Sequence, residues 1–190
     1  METINQIVHG CSIKDPRYQR LFYDRYRGFA LKVVFRYIYH YEKAMDVVTD
    51  GFVKVFIHFD QFQKEKGDSL EKMVMGWLKR IMINCAIDEL RRANLLPEIG
   101  GIPGDVWDVT DKHDNADQLL LYKDLISIIK QLPPNYRIIF NLYVIDGYSH
   151  SQIAELMQFS VSTSRSGLSR AKSLLQELIK NMEEGKLCRI

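Results

Sequence analysis

The sequence has little cysteine, proline and glycine, and it lacks a long apolar run. Its 190 residues include 3 cysteines, Cys11, Cys85 and Cys188, which lie far apart and form no CxxC pair. Neither a disulfide framework nor a zinc site is therefore indicated, and a reducing compartment is favoured. The 5 prolines and 11 glycines are too few for a mostly irregular chain. Because no window approaches 18 uninterrupted apolar residues and the start METINQIVHG carries no basic segment, we expect a cytoplasmic protein without direct membrane insertion.

A strong excess of one charge is also missing. The formal net charge is +2, and a composition of 46% hydrophobic and 26% charged residues is typical of a globular protein. Residues 1–92 hold 16 Lys and Arg against 12 Asp and Glu, residues 93–116 hold 1 against 5, and residues 117–190 hold 9 against 7. Two mildly basic blocks thus flank an acidic strip, a pattern that permits phosphate contacts without requiring them.

Catalytic and metal-binding motifs are missing as well. The 5 histidines are scattered, and the sequence contains no HExxH, P-loop or nucleophile-elbow motif. His113 and Asp114 are adjacent, but two ligands in an irregular segment make a weak metal site. We therefore expect no enzymatic activity, no metal, no cofactor and no small-molecule substrate.

What is present is a pair of helix-rich blocks. The strip at 93–116 is rich in glycine and proline and shows no helical periodicity, so we interpret it as a flexible linker, with an ordered surface loop as the alternative. The sequence predicts an all-α fold of two small helical domains, 1–92 and 117–190. Apolar residues at three- and four-residue steps predict three helices in the first block, with these stripes: Leu21, Tyr26, Phe29, Ala30 and Val33; Ala44, Val47, Val48, Phe52, Val55 and Phe56; Met75, Leu78, Ile81, Met82, Cys85, Ala86 and Leu90.

The second block contains clear start and stop signals. Pro133 ends a helix carrying Leu125, Ile128 and Ile129, and Pro134 suits the first position of the next helix, which Gly147 closes. A capping box, Ser149-His-Ser-Gln152, predicts the start of a short helix, and Ser160 can cap a longer final helix.

A short helix, a turn and a longer helix form the plan of a helix-turn-helix. Small hydroxyl side chains and arginines on the outer side of the second helix suit entry into a DNA major groove, because they permit close approach and can bond phosphates or base edges. The alternative is a helical hairpin with a hydroxyl-rich surface.

Longer segments carry a family resemblance. GYSHSQIAELMQFSVSTSRSGLSRAKSLLQELI resembles region four, the DNA-binding region of bacterial sigma factors, especially those of the extracytoplasmic-function group of the sigma-70 family. MDVVTDGFVKVFIHFDQF and WLKRIMINCAIDELRR resemble successive segments of region two in that family. The two regions occur in the family's order and cover most of residues 18–180.

The resemblance implies partners and binding residues. It implies that region two (1–92) binds core RNA polymerase and the −10 promoter element, and that region four (117–190) binds the −35 element. An anti-sigma protein is a further implied partner, and the acidic linker is consistent with passage through the polymerase's RNA exit path or with a purely solubilising role. The residues implied at the −35 element are Ser162, Thr163, Arg165, Ser166, Ser169, Arg170 and Lys172.

In region two, the loop FDQFQKEKGDSL resembles the family's loop that captures an extruded −10 base, and its alternative is a plain exposed loop. The residues implied at the −10 element are Phe62, Gln63 and Lys64 in this loop, followed by Lys79, Arg80, Asn84, Arg91 and Arg92. Asp88 is expected to orient Arg91 or Arg92, and Trp77 to be a core residue rather than a wedge that stacks on bases. The residues implied at the polymerase are Asp46, Asp50, Phe52, Lys54 and Phe56, with burial in the core as the alternative for the two phenylalanines.

Three residues depart from the family pattern. Gln158 replaces a turn glycine, so a positive φ there would cost about 1 kcal/mol. Ser164 replaces an apolar residue, and Gly167 replaces a bulky basic one, from which we expect a less basic reading surface.

A different function remains compatible with the same helices. The main alternative is a stand-alone helix-turn-helix regulator with an N-terminal helical sensing domain, which would bind duplex DNA tightly without polymerase. A helical enzyme and a helical protein-binding adaptor are less favoured, since the sequence carries no motif that supports either one.

Overall fold

The structure is a computed structural model that describes residues 2–62, 69–92 and 124–183. The chain divides into two compact units, Met1–Thr110 and Asp111–Ile190. Throughout the described residues the regular elements are helices and none is a strand, which confirms the predicted all-α class. The predicted linker at 93–116 lies outside the described residues.

The first unit contains α1 (Ile4–Ser12), α2 (Pro16–Phe35), α3 (Tyr41–Ile57), a 3-10 turn (Phe59–Gln61) and α4 (Leu70–Arg92). Periodicity did not predict α1, yet a capping box of Thr3 and Gln6 starts it, and Ile7, Val8 and Cys11 are buried. Asp15 caps α2, whose first residue is a proline. Short local sequence signals therefore determine where both helices begin.

The core of the first unit lies where α2, α3 and α4 meet. Gly51 of α3 allows close approach of α4, since a β-carbon there would lie 2.5 Å from Sδ of Met82. The core side of α2 includes the fully buried Phe22, while the predicted Leu21 and Phe29 are only half-buried. The buried side of α4 is wider than predicted and adds Val74, Ile83 and Ile87, because α1, α2 and α3 all contact this helix.

The second unit contains helical residues 124–130 (α5), α6 (Pro134–Phe140), a π-helical turn (Asn141–Ile145), α7 (His150–Met157) and α8 (Val161–Glu183). Pro134 is the first residue of α6, as predicted. Gly147 has a φ of +77°, which glycine adopts without strain, and it ends the segment that follows α6. In α5 Ile126 and the predicted Ile129 are fully buried, whereas the predicted core residue Leu125 is 44% exposed.

The helix-turn-helix of α7 and α8 has the predicted caps. Ser149 and Gln152 form the capping box of α7, and the Oγ of Ser160 accepts a hydrogen bond from the backbone N–H of Thr163 at 3.0 Å. Gln158 ends α7 with φ 58° and ψ 42°, so this glutamine adopts the left-handed conformation that its place in the turn predicts. The buried side of α8, with Leu168, Ala171 and Leu175, packs against α6 and α7.

Candidate nucleic-acid interface

The predicted DNA-reading residues share one property, which is exposure on the outer side of α8. All seven of them have exposed side chains: Ser162, Thr163, Arg165, Ser166, Ser169, Arg170 and Lys172. The opposite side of the helix is held by α6 and α7. Packing against α6 and α7 therefore fixes α8 in place and leaves this side exposed to solvent, as entry into a groove requires.

The spacing of these side chains divides the exposed side into three rows. Steps of four, three and four place Ser162, Ser166, Ser169 and Ser173 in one row along the middle. Arg165 and Lys172, seven residues apart, form the row on one flank. Thr163 and Arg170, also seven apart, form the row on the other flank, next to the buried Gly167. Short hydroxyl side chains thus lie between two cationic edges.

Two of the residues that depart from the family pattern do not lie on this exposed side. Ser164 is fully buried, and its Oγ lies 2.9 Å from Nδ1 of His150. Gly167 is buried too, and a β-carbon there would lie 2.5 Å from Cδ1 of Ile139 in α6. Our expectation that Gly167 removes a cation from the reading surface is therefore wrong, because this position faces the packing between α6 and α8.

Arg170 has a partner outside its own helix. Its Nη1 donates a hydrogen bond to the hydroxyl of Tyr136 in α6 at 3.1 Å. This hydrogen bond raises the pKa of the Arg170 guanidinium above its ordinary value. Sequence reasoning did not select Tyr136, because its contact with Arg170 joins residues that are 34 positions apart and leaves no local signal.

In the first unit, α4 presents an aromatic and basic face. Trp77, Arg80, Asn84 and Arg91 follow one another at steps of three, four and seven residues and share this face. Trp77 is half-buried, with its ring centroid 5.3 Å from that of Phe62 and 5.4 Å from that of Phe59. Trp77 is thus attached to the aromatic core without being enclosed by it.

The other predicted −10 residues fall in different places. Phe62 is half-buried at the edge of the described chain, while Gln63 and Lys64 lie outside the described residues. Lys79 is half-buried and lies about a third of a turn away from the face of Arg80 and Asn84.

Carboxylates hold the basic end of α4. Asp88 forms an ion pair with Arg91, as predicted, and its other oxygen lies 3.7 Å from Nζ of Lys54 in α3. Arg92 pairs instead with Glu89 at 3.7 Å. These side chains are substantially exposed, so each pair contributes roughly 0–1 kcal/mol to stability and mainly fixes geometry.

The predicted polymerase residues divide between surface and core. Asp46, Asp50 and Lys54 are exposed on α3, and Phe56 is half-buried. Phe52 is only 2% exposed and its ring lies against those of Phe22 and Tyr23, so it belongs to the core, in agreement with the alternative interpretation.

Two apolar residues on the same surface of α3 were not selected from the sequence. Val53 and Ile57 are 52% and 58% exposed, and they continue the row of Asp46 and Asp50 at steps of three and four. The sequence could have indicated their exposure, because both positions lie off the predicted buried stripe of α3.

A polar cluster ties the start of α4 to α2. Arg25 donates two hydrogen bonds to the carboxylate of Glu71, at 3.3 and 3.0 Å, and the hydroxyl of Tyr26 donates a third at 2.8 Å. Burial and the neighbouring carboxylate raise the pKa of Tyr26 above its ordinary value, so the phenol stays neutral and donates. Sequence reasoning missed this cluster because its members lie 45 and 46 residues apart.

Within residues 2–62, 69–92 and 124–183, no group of three or more His, Cys, Asp or Glu residues is arranged to hold a metal ion. No helix in this part of the chain has the length and apolar character that crossing a bilayer requires.

Family models and curated proteins match the chain along most of its length. Residues 22–95 match the model of Sigma-70 region 2, and residues 122–175 match that of Sigma-70, region 4. The ECF RNA polymerase sigma factor SigW of Bacillus subtilis is 24% identical over 84% of this chain and 87% of its own length. The ECF RNA polymerase sigma-E factor of Escherichia coli is 27% identical over 87% and 88%. The RNA polymerase sigma-H factor of Pseudomonas aeruginosa is 26% identical over 94% of each chain.

A solved structure shows the same fold. The sigma factor RpoE of Bartonella quintana, crystallised with the anti-sigma factor NepR, has a TM-score of 0.50 and 20% identity, covering 85% of this chain and 96% of that one.

Proposed function

The chain is a sigma factor of the extracytoplasmic-function group of the sigma-70 family, and from this premise we propose which of its surfaces carry promoter recognition. In this proposal α8 reads the −35 element, α4 engages the −10 element, and the outer side of α3 binds core RNA polymerase. The observation that carries it is the exposure of all seven predicted residues on one side of α8, with the other side packed on α6 and α7.

The three rows on α8 suit a major groove. A groove about 12 Å wide admits one helix, and the shorter the central side chains, the closer the backbone comes to the base edges. The serine row lies in the middle, where it can bond base edges, and the cations of Arg165, Lys172 and Arg170 lie on the two flanks, where the phosphates of the two strands border the groove. We assign the flanking cations to phosphates and the central hydroxyls to bases.

The face of α4 suits a separated strand. Stacking on an aromatic ring contributes about 1–3 kcal/mol per base in single-strand binding, and cations that follow the backbone add to it. The exposed edge of the Phe62 and Trp77 pair is followed along α4 by Arg80, Asn84 and Arg91. Capture of an extruded base, which costs a few kcal/mol, is proposed for Phe62 together with Gln63 and Lys64.

The outer side of α3 suits a protein partner. It combines the carboxylates of Asp46 and Asp50 with the exposed Val53 and Ile57 in one row. An apolar centre beside charges is the composition of a protein interface. This supports α3 as the surface that binds core polymerase.

Family membership supports two further proposals, one on regulation by an anti-sigma factor and one on the absence of catalysis by this chain. The structurally similar RpoE was solved with an anti-sigma factor, and we propose that a protein of that kind also restrains this chain. We further propose that the chain catalyses no reaction itself and acts in the cytoplasm, where the polymerase performs the chemistry of transcription.

A transcription assay with core polymerase tests the proposal. The protein is mixed with core enzyme and a library of promoter fragments, and the starts of the transcripts are sequenced. Selective initiation is expected, and it should be weakened by R165A and left intact by K180A, which removes an exposed cation from the distal part of the same helix. Absence of selective initiation on every template would overturn the proposal.

The stand-alone regulator makes the opposite prediction for the purified protein. A regulator must hold DNA through its own cations, whose counterion release drives binding. With a net charge of +2, we expect weak promoter binding until core polymerase is added. Tight and selective duplex binding by the chain alone would favour the regulator.

A further inference from the structure

The contact between Tyr136 and Arg170 joins two helices across 34 residues of sequence. Tyr136 lies in the first turn of α6 with a half-buried ring, and Arg170 lies on the exposed side of α8. The phenol oxygen accepts a hydrogen bond from Nη1 at 3.1 Å. A residue of α6 thus holds the guanidinium of Arg170, whose side chain is otherwise exposed to solvent.

Gly167 lies beside this contact. A β-carbon at Gly167 would lie 2.5 Å from Cδ1 of Ile139 and 3.9 Å from Cδ1 of Tyr136, so the missing side chain allows α6 to lie close against α8. Arg170 follows Gly167 by three residues and lies almost one turn further along. The ring of Tyr136 passes beside Gly167, and its hydroxyl reaches the guanidinium at the next turn.

The chemistry of the pair suits an anion at the edge of the groove. A guanidinium has five N–H donors in a fixed plane, and Tyr136 accepts from only one nitrogen. The phenol O–H is not used in this hydrogen bond, so it can donate to the same anion. An arginine free in solvent must be ordered when it binds, whereas one already held in place loses less freedom.

We propose that Tyr136 is a positioning residue, which orients the guanidinium of Arg170 toward a backbone phosphate of the −35 element. This inference rests on the proposed function, because it takes Arg170 as a DNA contact. It adds a residue outside the helix-turn-helix to the determinants of −35 affinity.

The test measures binding of the holoenzyme, assembled from this chain and core polymerase, to a labelled promoter at several salt concentrations. The variants are Y136F, R170A and Y136F/R170A. The control is Y143F, because Tyr143 is an exposed tyrosine of the same unit that stacks on His150. The Tm of each variant is recorded to confirm that it folds.

R170A is expected to weaken binding and to lower the slope of log affinity against log salt by about 1, as loss of one phosphate contact does. Y136F is expected to weaken binding about threefold to tenfold, the range for one hydrogen bond. In the R170A background Y136F should have no further effect, and Y143F should leave binding unchanged.

The outcomes separate the two ideas. If R170A leaves affinity and salt slope unchanged, Arg170 does not contact DNA and the proposed assignment fails. If R170A weakens binding while Y136F does not, or if Y136F weakens it equally in the R170A background, then Tyr136 does not act through Arg170 and the positioning role is overturned.

Discussion

Oγ of Ser164 in α8 lies 2.9 Å from Nδ1 of His150 at the start of α7, and this contact joins the two helices of the helix-turn-helix. Ser164 is fully buried, and the ring of His150 stacks on Tyr143 with centroids 4.4 Å apart. A hydroxyl at a buried position therefore has a polar partner from the neighbouring helix, which explains how this chain accommodates serine where the family resemblance leads us to expect an apolar residue.

Replacing Ser164 by alanine is expected to destabilise the second unit by about 1 kcal/mol, because Nδ1 of the half-buried His150 loses its partner. Urea unfolding followed by circular dichroism measures the loss. The matched control is S166A, since Ser166 is exposed and bonds only within its own helix, to the carbonyl of Thr163. Equal stability of S164A and S166A would show that the contact with His150 contributes nothing.

Replacing Gln158 by glycine is expected to stabilise the second unit by about 0.5–1 kcal/mol. Gln158 has a φ of 58°, and an L-residue there is strained relative to glycine, although glycine is also more flexible in the unfolded chain. The Q158A variant is the control, because alanine keeps the β-carbon that causes the strain and should bring no gain. Thermal unfolding compares them, and a loss of stability in Q158G would contradict this account of the turn.

Substitutions at Gly167 and Ile139 are expected to have non-additive effects on the free energy of unfolding, with the double variant more stable than the sum of the single effects. G167A improves helix propensity by about 1 kcal/mol, but its new methyl group meets Cδ1 of Ile139 at 2.5 Å. I139V removes that carbon and by itself lowers the free energy of unfolding by about 0.5–1.5 kcal/mol. The double variant G167A/I139V should therefore be more stable than the two single effects predict, in a double-mutant cycle of unfolding free energies. Strict additivity would mean that the two residues do not restrict each other.

Cys11 and Cys85 are expected to react slowly with a thiol reagent in the folded protein. Burial, with a smaller contribution from Asp15, raises the pKa of Cys11 from 9.0 to about 12, and burial also raises the pKa of Cys85. In a C188S variant these are the two remaining thiols, and at pH 8.5 both should react quickly only after urea unfolding. Rapid labelling of the folded variant would contradict the burial.

The same shift makes a prediction for alkaline pH. Unfolded Cys11 loses its proton near pH 9, whereas the folded thiol keeps it up to about pH 12. The stabilisation from the neutral buried thiol is thus fully present below pH 9 and is lost as the pH rises from 9 to 12. A C11A variant should lose less stability over this interval, as measured by urea unfolding at each pH.

The helix-turn-helix could be predicted because its signals are local. Each signal acts within three or four residues, so the sequence alone shows where the helices begin and end. These signals are Pro134, Gly147, Ser149 with Gln152, and Ser160. The exposed row of serines follows from the same periodicity once the buried leucines of α8 are known. The seven predicted DNA-reading residues therefore lie on one side, as expected.

What could not be predicted depends on distant contacts. The predicted phase of α5 is wrong at Leu125 because leucines and isoleucines on several sides of that segment allow more than one buried stripe, and packing of the unit selects Ile126. The family resemblance led us to expect Gly167 on the reading surface, and its packing against Ile139, 28 residues earlier in the chain, has no local signal. The contact of Tyr136 with Arg170 has the same origin.

The helix α1 was missed for a different reason. It has 9 residues, too few for apolar periodicity to be distinctive, although the capping box of Thr3 and Gln6 was visible. A capping signal in front of a short segment can therefore indicate a helix where periodicity cannot.

The capping boxes that start α1 and α7 both use glutamine as the reciprocal residue, Gln6 in the first and Gln152 in the second. A glutamate in that position would take up a proton on acidification and change the hydrogen bond that it accepts. An amide does not titrate. The capping bonds at the starts of α1 and α7 are therefore unaffected as the pH falls through about 4.3, where a glutamate in the same position would be protonated.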